Sequence, residues 1–334
     1  MPTKLNLSAE LKKARGREQL SSADLVSIDD LTTKDIELIF RVADVFARHV
    51  ASGAGNKKVD ALKGTSIFNF FNENSTRTRS SFELAGKHLG SDVINISGSA
   101  SSGKKGETIG DTARTLDAYN ADLLIVRDSC AGVPAQLAPL IGAPVLNAGD
   151  GWHEHPTQAL LEAFTLRKHF GKKKLVYLFA GDAKHNRCIG SQARLYKKLG
   201  YELRLAAWET LRPVQIEQFG ITVFNHFEED ALKGVDAIHI LRLRTEYAAG
   251  SNIPTPREYS KNFMLNPRRL ALAKKTAVAL HAGPVMREFD MASIILEGPQ
   301  SLVQEMVANG LAIRMALEWL LITNTKKKTN PWKK

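Results

Sequence analysis

Ser66-Ile67-Phe68-Asn69-Phe70-Phe71-Asn72-Glu73-Asn74-Ser75-Thr76-Arg77-Thr78-Arg79-Ser80-Ser81-Phe82-Glu83 changes character halfway along. Ser66–Phe71 is a short apolar run, which predicts a strand. Beyond it, Phe82, Leu84 and Ala85 predict a helix over Thr76–His88. Ser75 and Thr76 then fall at the helix N-terminus, where free N–H groups and the positive dipole end attract anions. The hydroxyls of Ser75, Thr76 and Thr78 add donors, and Arg77 adds a fork that fits phosphate. The same residues also read as an N-cap with two solvent-facing arginines, and the segment alone does not separate the two readings. No GxxxxGK[ST] is present, so a nucleotide P-loop is not supported.

Outward from this stretch, short apolar runs alternate with helical patterns. Strands are expected at Asp92–Ile96, Leu123–Val126, Val145–Asn147, Leu175–Phe179, Leu203–Ala207, Ala237–Leu241 and Ala277–His281. Helices are expected at Thr108–Tyr119, Pro156–His169, Asn186–Leu199 and Leu302–Leu321. Such alternation predicts an α/β protein of two similar-sized domains, each a parallel sheet flanked by helices. Gly149-Asp150-Gly151 interrupts the pattern and reads as the domain junction, with the active site expected in the interdomain cleft.

The chain has 334 residues, 43% of them hydrophobic and 24% charged, the composition of a folded protein long enough for two cores. No apolar run approaches the length of a membrane span, and the N-terminus has no signal-peptide pattern. Cys130 and Cys188 form no CxxC pair, which fits a reducing cytoplasm. The net charge of +11 raises the question of nucleic acid or a small anion as partner. Residues 1–20 contribute +3 and residues 326–334 contribute +5, leaving +3 for the 305 residues between. Residues 1–25 therefore read as a polar extension and the basic end as a solvated tail. Nucleic-acid binding would rest on these ends alone, and it is not expected.

Other residues carry candidate chemistry. Ser101 and Lys105 lie in a small, polar loop before the helix at Thr108, where a lysine can swing onto a ligand or simply be solvated. Arg127 follows an apolar strand, at the end where α/β proteins place ligand groups. His155 precedes Pro156 at a helix start, as a cap or as a group facing the cleft, and Gln158 follows in the first turn. Arg187 follows Gly181 and the expected strand Leu175–Phe179, but GxGxxG is missing and a dinucleotide reading fails. Arg242 and Arg244 follow a buried strand, where two arginines are costly unless they meet anions. His281-Ala282-Gly283-Pro284 ends another strand in a turn that would present carbonyls.

In order and spacing, Ser75–Thr78, Lys105-Gly106-Glu107, Arg127, His155–Gln158, Arg187, Arg242 and His281–Pro284 resemble the catalytic chains of the aspartate carbamoyltransferase family. The resemblance runs from about residue 26 to about 322 and includes Asn147–Gly151 and Asn309–Leu317. It is closest to the type with an N-terminal extension, which can assemble with a dihydroorotase-like partner. The resemblance implies a carbamoyl-phosphate-binding domain at 26–154, completed by a C-terminal helix at 302–322. An aspartate-binding domain would follow at 155–301, with residues 1–25 as an extension and 323–334 as a basic tail.

The implied reaction, in pyrimidine biosynthesis, is carbamoyl transfer from carbamoyl phosphate to L-aspartate, without metal or organic cofactor. Ser75, Thr76, Arg77 and Thr78 match residues that hold the phosphate. Thr78, Arg127 and His155 match groups at the carbonyl oxygen; with Arg77 they form the implied catalytic set. Gln158 and the carbonyls near Gly283 and Pro284 match contacts to the carbamoyl nitrogen. Arg187 and Arg242 match the arginines that grip aspartate. Ser101 and Lys105 match a loop reaching the neighbouring subunit's site, Lys105 toward aspartate, so a homotrimer is implied.

Two positions depart from the family pattern. Arg-x-Gln-x-Glu-Arg is here Arg242-Leu243-Arg244-Thr245-Glu246-Tyr247. Arginine only donates hydrogen bonds, whereas glutamine also accepts, so Arg244 leaves acceptor choice open. A different amine acceptor, or a catalytically weakened scaffold subunit, is the alternative reading. Ala282-Gly283 is a milder departure, because the Gly-Pro turn is kept.

Overall fold

The computed structural model describes residues 7–52, 57–97, 107–244, 254–326 and 328. Twelve α-helices and nine strands are present among them, in two compact units. The helices are α1 Leu7–Arg15, α2 Thr33–Ala51, α3 Thr76–Leu89, α4 Ile109–Ala118, α5 Val133–Leu137, α6 Pro156–Phe170, α7 Arg187–Leu199, α8 Glu229–Leu232, α9 Pro256–Phe263, α10 Pro267–Leu270, α11 Ser293–Leu296 and α12 Val303–Ile322. The strands are β1 Ser66–Phe71, β2 Asp92–Ser97, β3 Leu123–Asp128, β4 Val145–Asp150, β5 Val176–Gly181, β6 Glu202–Ala206, β7 Ile221–Phe224, β8 Ala237–Leu241 and β9 Val278–Leu280.

The first unit comprises residues 1–164 and 308–334. Its sheet has the order β2-β1-β3-β4 and every pairing is parallel. Helices supply the cover a parallel sheet needs. Under one face, Phe68, Phe70, Leu124 and Val126 pack with Ala113, Leu116 and Leu137 from α4 and α5. Helix α2 is absent from the strand-led reading of the sequence. It starts on a capping box, in which Thr32 Oγ1 accepts from Asp35 N and Asp35 Oδ2 accepts from Thr32 N. Its buried face includes Ile36, Ile39, Phe40, Ala43 and Phe46, the spacing of an amphipathic helix.

The second unit, residues 165–307, holds a five-stranded sheet of order β7-β6-β5-β8-β9, again all parallel. The two parallel sheets bear out the expected fold class. Strand β7 was not expected; it is a half-exposed edge strand whose four residues, Ile221–Phe224, are too short a run to stand out. Strands β3 and β4 run on to Asp128 and Asp150, because the ladder continues through charged residues that read as loop.

Three expectations need correction. The chain leaves the first unit within α6, after Phe164, and Gly149–Gly151 lies inside that unit. Asp150 is bonded there by Gly132 N at 2.6 Å and Asn147 Nδ2 at 2.8 Å. The N-terminal segment is no loose extension: Leu7, Leu11, Leu20 and Leu25 are buried, and Leu25 N donates to Val145 O. Arg15 donates to Thr323 O at 2.9 Å and lies over Trp319. The start of the basic end is likewise docked, with Lys326 Nζ on Ser21 O and Lys328 Nζ on Asp24 Oδ1 and Ala143 O. No helix among the described residues is long and apolar enough to cross a membrane.

Candidate functional site

In the first sheet the strand order reverses between β1 and β3, and ligands of open α/β sheets bind beyond the strand ends at such a point. The loop after β1 leads directly into α3. It is fixed to β3 by Asn72 N donating to Arg127 O at 2.9 Å and Asn72 Nδ2 donating to Asp128 Oδ2 at 2.7 Å. Ser75 is the N-cap of α3 in extended conformation, and its side chain makes no capping hydrogen bond. The first helical bond runs from Arg79 N to Ser75 O, so the preceding N–H groups face outward from the helix end. Thr76 and Arg77 are exposed and Thr78 is buried. An anion at this end would meet the dipole, three hydroxyls and a guanidinium.

Arg127 stands beside this helix end, at the close of β3. Its guanidinium is nearly buried and tethered, Nη1 donating to Ala148 O at 3.1 Å and Nη2 to Glu73 Oε1 at 3.3 Å. Glu73, inside the opening stretch, was not singled out as a candidate. Its carboxylate lowers the cost of burying a cation before an anionic ligand arrives.

The loop after β4 carries the next group. Asp150 is fully buried; burial pushes its carboxyl up, but hydrogen bonds from His153, Asn147 and Gly132 N overcome this and hold it below the usual range. A side chain at Gly151 would meet the backbone of Ala131, so the close approach requires glycine there. Glu154 is fully buried and accepts from Ser27 Oγ at 2.5 Å and Ile28 N at 3.1 Å. His155 follows, buried, its carbonyl accepting from Gln158 N and Ala159 N to open α6. Gln158 is buried one turn along. The N-terminal segment thus positions the His155 loop, through a contact between residues too distant in sequence to be read from it.

The second sheet reverses between β5 and β8, and the remaining candidates sit at the ends of β5, β8 and β9. Arg187 is the first residue of α7 and is buried, with Asn186 as N-cap accepting from Cys188 N at 2.8 Å. The loop before it is organised by buried Asp182. Its Oδ1 accepts from His185 N and contacts His185 Nδ1, and its Oδ2 accepts from Arg244 N at 3.2 Å. Tyr259 accepts from Asp182 N and donates to Leu241 O; burial raises its phenol well above its ordinary value. Arg242 and Arg244 lie just beyond the end of β8, half-buried on either side of buried Leu243. His281, Gly283 and Pro284 follow β9, with His281 buried and Pro284 exposed.

The structure therefore gathers Ser75–Thr78, Arg127, His155 and Gln158 in the first unit, and Arg187, Arg242, Arg244, Gly283 and Pro284 in the second. Ser101, Lys105 and Tyr247 lie outside the described residues.

Comparison with known proteins agrees with this division. Residues 23–168 match the profile of the aspartate/ornithine carbamoyltransferase carbamoyl-P binding domain, and residues 173–321 that of the Asp/Orn binding domain. The aspartate carbamoyltransferase catalytic subunit of Moorella thermoacetica is 44% identical over 305 residues, covering 91% of this chain and 98% of that protein. The corresponding subunit of Mesorhizobium japonicum is 47% identical over 295 residues, covering 88% and 89%. Among solved structures, aspartate transcarbamoylase of Trypanosoma cruzi in complex with carbamoyl phosphate and aspartate superposes with a TM-score of 0.78 at 27% identity, covering 90% of this chain and 95% of that one. With both sheets, both profiles and nearly its whole length in agreement, this chain belongs to the aspartate/ornithine carbamoyltransferase family.

Proposed function

We propose that this chain transfers the carbamoyl group of carbamoyl phosphate to the amino group of L-aspartate, giving N-carbamoyl-L-aspartate and phosphate. The observation that carries the reading is the open N-terminus of α3, with Ser75–Thr78, standing beside the tethered guanidinium of Arg127 at the strand reversal. The relatives named aspartate carbamoyltransferase catalytic subunit support it.

Ser75, Thr76, Arg77 and Thr78 hold the phosphate. Thr78, Arg127 and His155 surround the carbamoyl oxygen, and Gln158 with the carbonyls of Gly283 and Pro284 receives the carbamoyl nitrogen. Arg187 and Arg242 grip the two carboxylates of aspartate. Attack by the amine on the carbonyl carbon builds negative charge on its oxygen. Donors fixed there in advance lower the barrier, one such donor being worth about 2.7–4 kcal/mol. The C–O bond to phosphate then breaks, and the departing phosphate takes the amine proton. Holding both reactants in fixed orientation supplies the remaining part of the rate gain.

Ser101 and Lys105 serve a neighbouring subunit's site, Lys105 on the aspartate side, which makes the working assembly a homotrimer. A dihydroorotase-like protein is the candidate partner for the N-terminal segment. The two free cysteines fit a cytoplasmic enzyme. Arg244 adds a third cation near the acceptor arginines, which favours a dicarboxylate over a cationic acceptor such as ornithine.

The test is a panel of amino-acid acceptors offered to the purified protein with carbamoyl phosphate. Aspartate is expected to be carbamoylated fastest and ornithine not at all. A faster rate with another acceptor would replace aspartate in this reading. Retained carbamoyl phosphate binding without turnover, restored by Arg244→Gln, would make the chain a weakened subunit.

A further inference from the structure

His281 is buried in the second unit at the end of β9, two residues before the turn whose carbonyls are assigned above to the carbamoyl nitrogen. Its Nδ1 accepts a hydrogen bond from Gly283 N at 2.8 Å. That bond fixes the tautomer: a neutral imidazole accepting at Nδ1 carries its proton on Nε2. Nε2 lies 3.3 Å from Asp290 Oδ2, off-line for a hydrogen bond. Asp290 is fully buried, and the same Oδ2 accepts from Met286 N at 2.9 Å. One acidic side chain thus holds the far end of the segment 283–286, and the imidazole beside it holds the near end.

We infer that Asp290 and His281 form a positioning dyad that fixes the backbone of Gly283 and Pro284 for the carbamoyl group. The inference rests on the carbamoyl-transfer reading above. Pro284 has no N–H and Gly283 spends its own on His281, so the carbonyls of this turn are the groups free to serve a ligand. A carbonyl must be aimed to distinguish an NH2 from an oxygen, and a turn on the surface needs a buried anchor to hold that aim.

The dyad works only while His281 is neutral, because a protonated Nδ1 would face Gly283 N–H donor to donor. Burial holds His281 below its ordinary value, and Asp290 opposes this. His239 of β8, stacked with its ring 6.5 Å away, and Arg242 beyond the end of β8 both act against protonation. His239 is in turn bonded to Gln192 of α7 at 3.2 Å. The acceptor state therefore persists through neutral pH and is lost on acidification, below the usual imidazole range.

The test compares wild type with His281→Ala, His281→Asn and Asp290→Asn, each checked for wild-type melting. The readouts are the KM values for carbamoyl phosphate and aspartate, and the pH dependence of the former. His281→Ala is expected to raise the KM for carbamoyl phosphate about tenfold, the scale of one hydrogen bond, with that for aspartate changed less. His281→Asn, whose Oδ1 can stand in for Nδ1, is expected to recover to within about threefold and to lose the acidic limb. Asp290→Asn should move that limb to lower pH, since Asp290 raises the imidazole's proton affinity. A folded His281→Ala with an unchanged KM for carbamoyl phosphate overturns the inference alone. So does an acidic limb that survives in His281→Asn. If His281→Ala fails to fold, the Asn variants decide by the same two readouts. A wild type without turnover overturns the functional reading, and the inference with it.

Discussion

Glu318 offers a test of the packing account in which the sign of the answer is at stake. It lies in α12, fully buried, and neither carboxyl oxygen has a hydrogen-bond partner among the described residues. One turn earlier, Arg314 donates to Ser81 Oγ of α3 at 2.6 Å and lies 4.9 Å over Phe82. On sequence this pair reads as an i,i+4 salt bridge. Burial, however, raises the Glu318 carboxyl well above the usual range, with Arg314 opposing, and lowers Arg314 to about 10. Glu318 is therefore a neutral acid with unsatisfied oxygens, a state that costs about 1–3 kcal/mol. Glu318→Met, of similar length and without oxygens, should stabilise the first unit by about that amount at pH 4, where the carboxyl is neutral in the folded chain and mostly so in the unfolded one. Above the ordinary carboxyl value the unfolded chain ionises and the folded one does not. Wild-type stability then falls by about 1.4 kcal/mol per pH unit until the raised folded value is reached. The variant lacks this loss, so its advantage grows with pH. For a unit of about 190 residues each kcal/mol moves the melting temperature about 2–4 °C. Melting curves of both proteins from pH 4 to pH 8 measure this. A destabilisation of about 3–5 kcal/mol would show an ionised pair and refute the reasoning.

Other outcomes follow from the site geometry. Arg127→Met should lower kcat by about 100- to 1,000-fold if the guanidinium serves the developing oxyanion, with folding by circular dichroism unchanged. Glu154→Ala removes the acceptor of Ser27 Oγ and Ile28 N, and should cost about 1–3 kcal/mol in thermal unfolding while lowering kcat through the His155 loop. Gly181→Ala would drive a methyl into the Tyr259 hydroxyl at a φ of +115°, and should destabilise the second unit by about 1–3 kcal/mol on each count.

The site was more legible than its supports. Arg127, Arg187 and Arg242 stand at or just beyond strand ends, and the alternation of apolar runs with helical patterns puts such residues where parallel sheets bind ligands. Ser75–Thr78 were legible for a related reason, as the hydroxyl-bearing residues that open a helix shortly after a strand. The capping box of Thr32 and Asp35 was also written in the sequence, and it suffices to place α2. The ties of Glu154 to Ser27 and of Lys328 to Asp24 were not legible, because nothing local marks partners that far apart in the chain. The basic ends misled for the same reason: a charge count sees Arg15 and Lys326, and misses the carbonyls that receive them. Asp290 escaped notice because, alone, it is an ordinary buried polar residue, and His281 was read only as the start of its turn.

The central claim is that this chain joins a carbamoyl group to aspartate. Its most direct measurement follows 13C-labelled carbamoyl phosphate and L-aspartate by NMR, with and without the protein, the latter correcting for spontaneous decomposition. The account predicts N-carbamoyl-L-aspartate and phosphate appearing in equal amounts, at a rate proportional to enzyme. Folded protein that yields phosphate without carbamoyl aspartate, or neither above the blank, would contradict it.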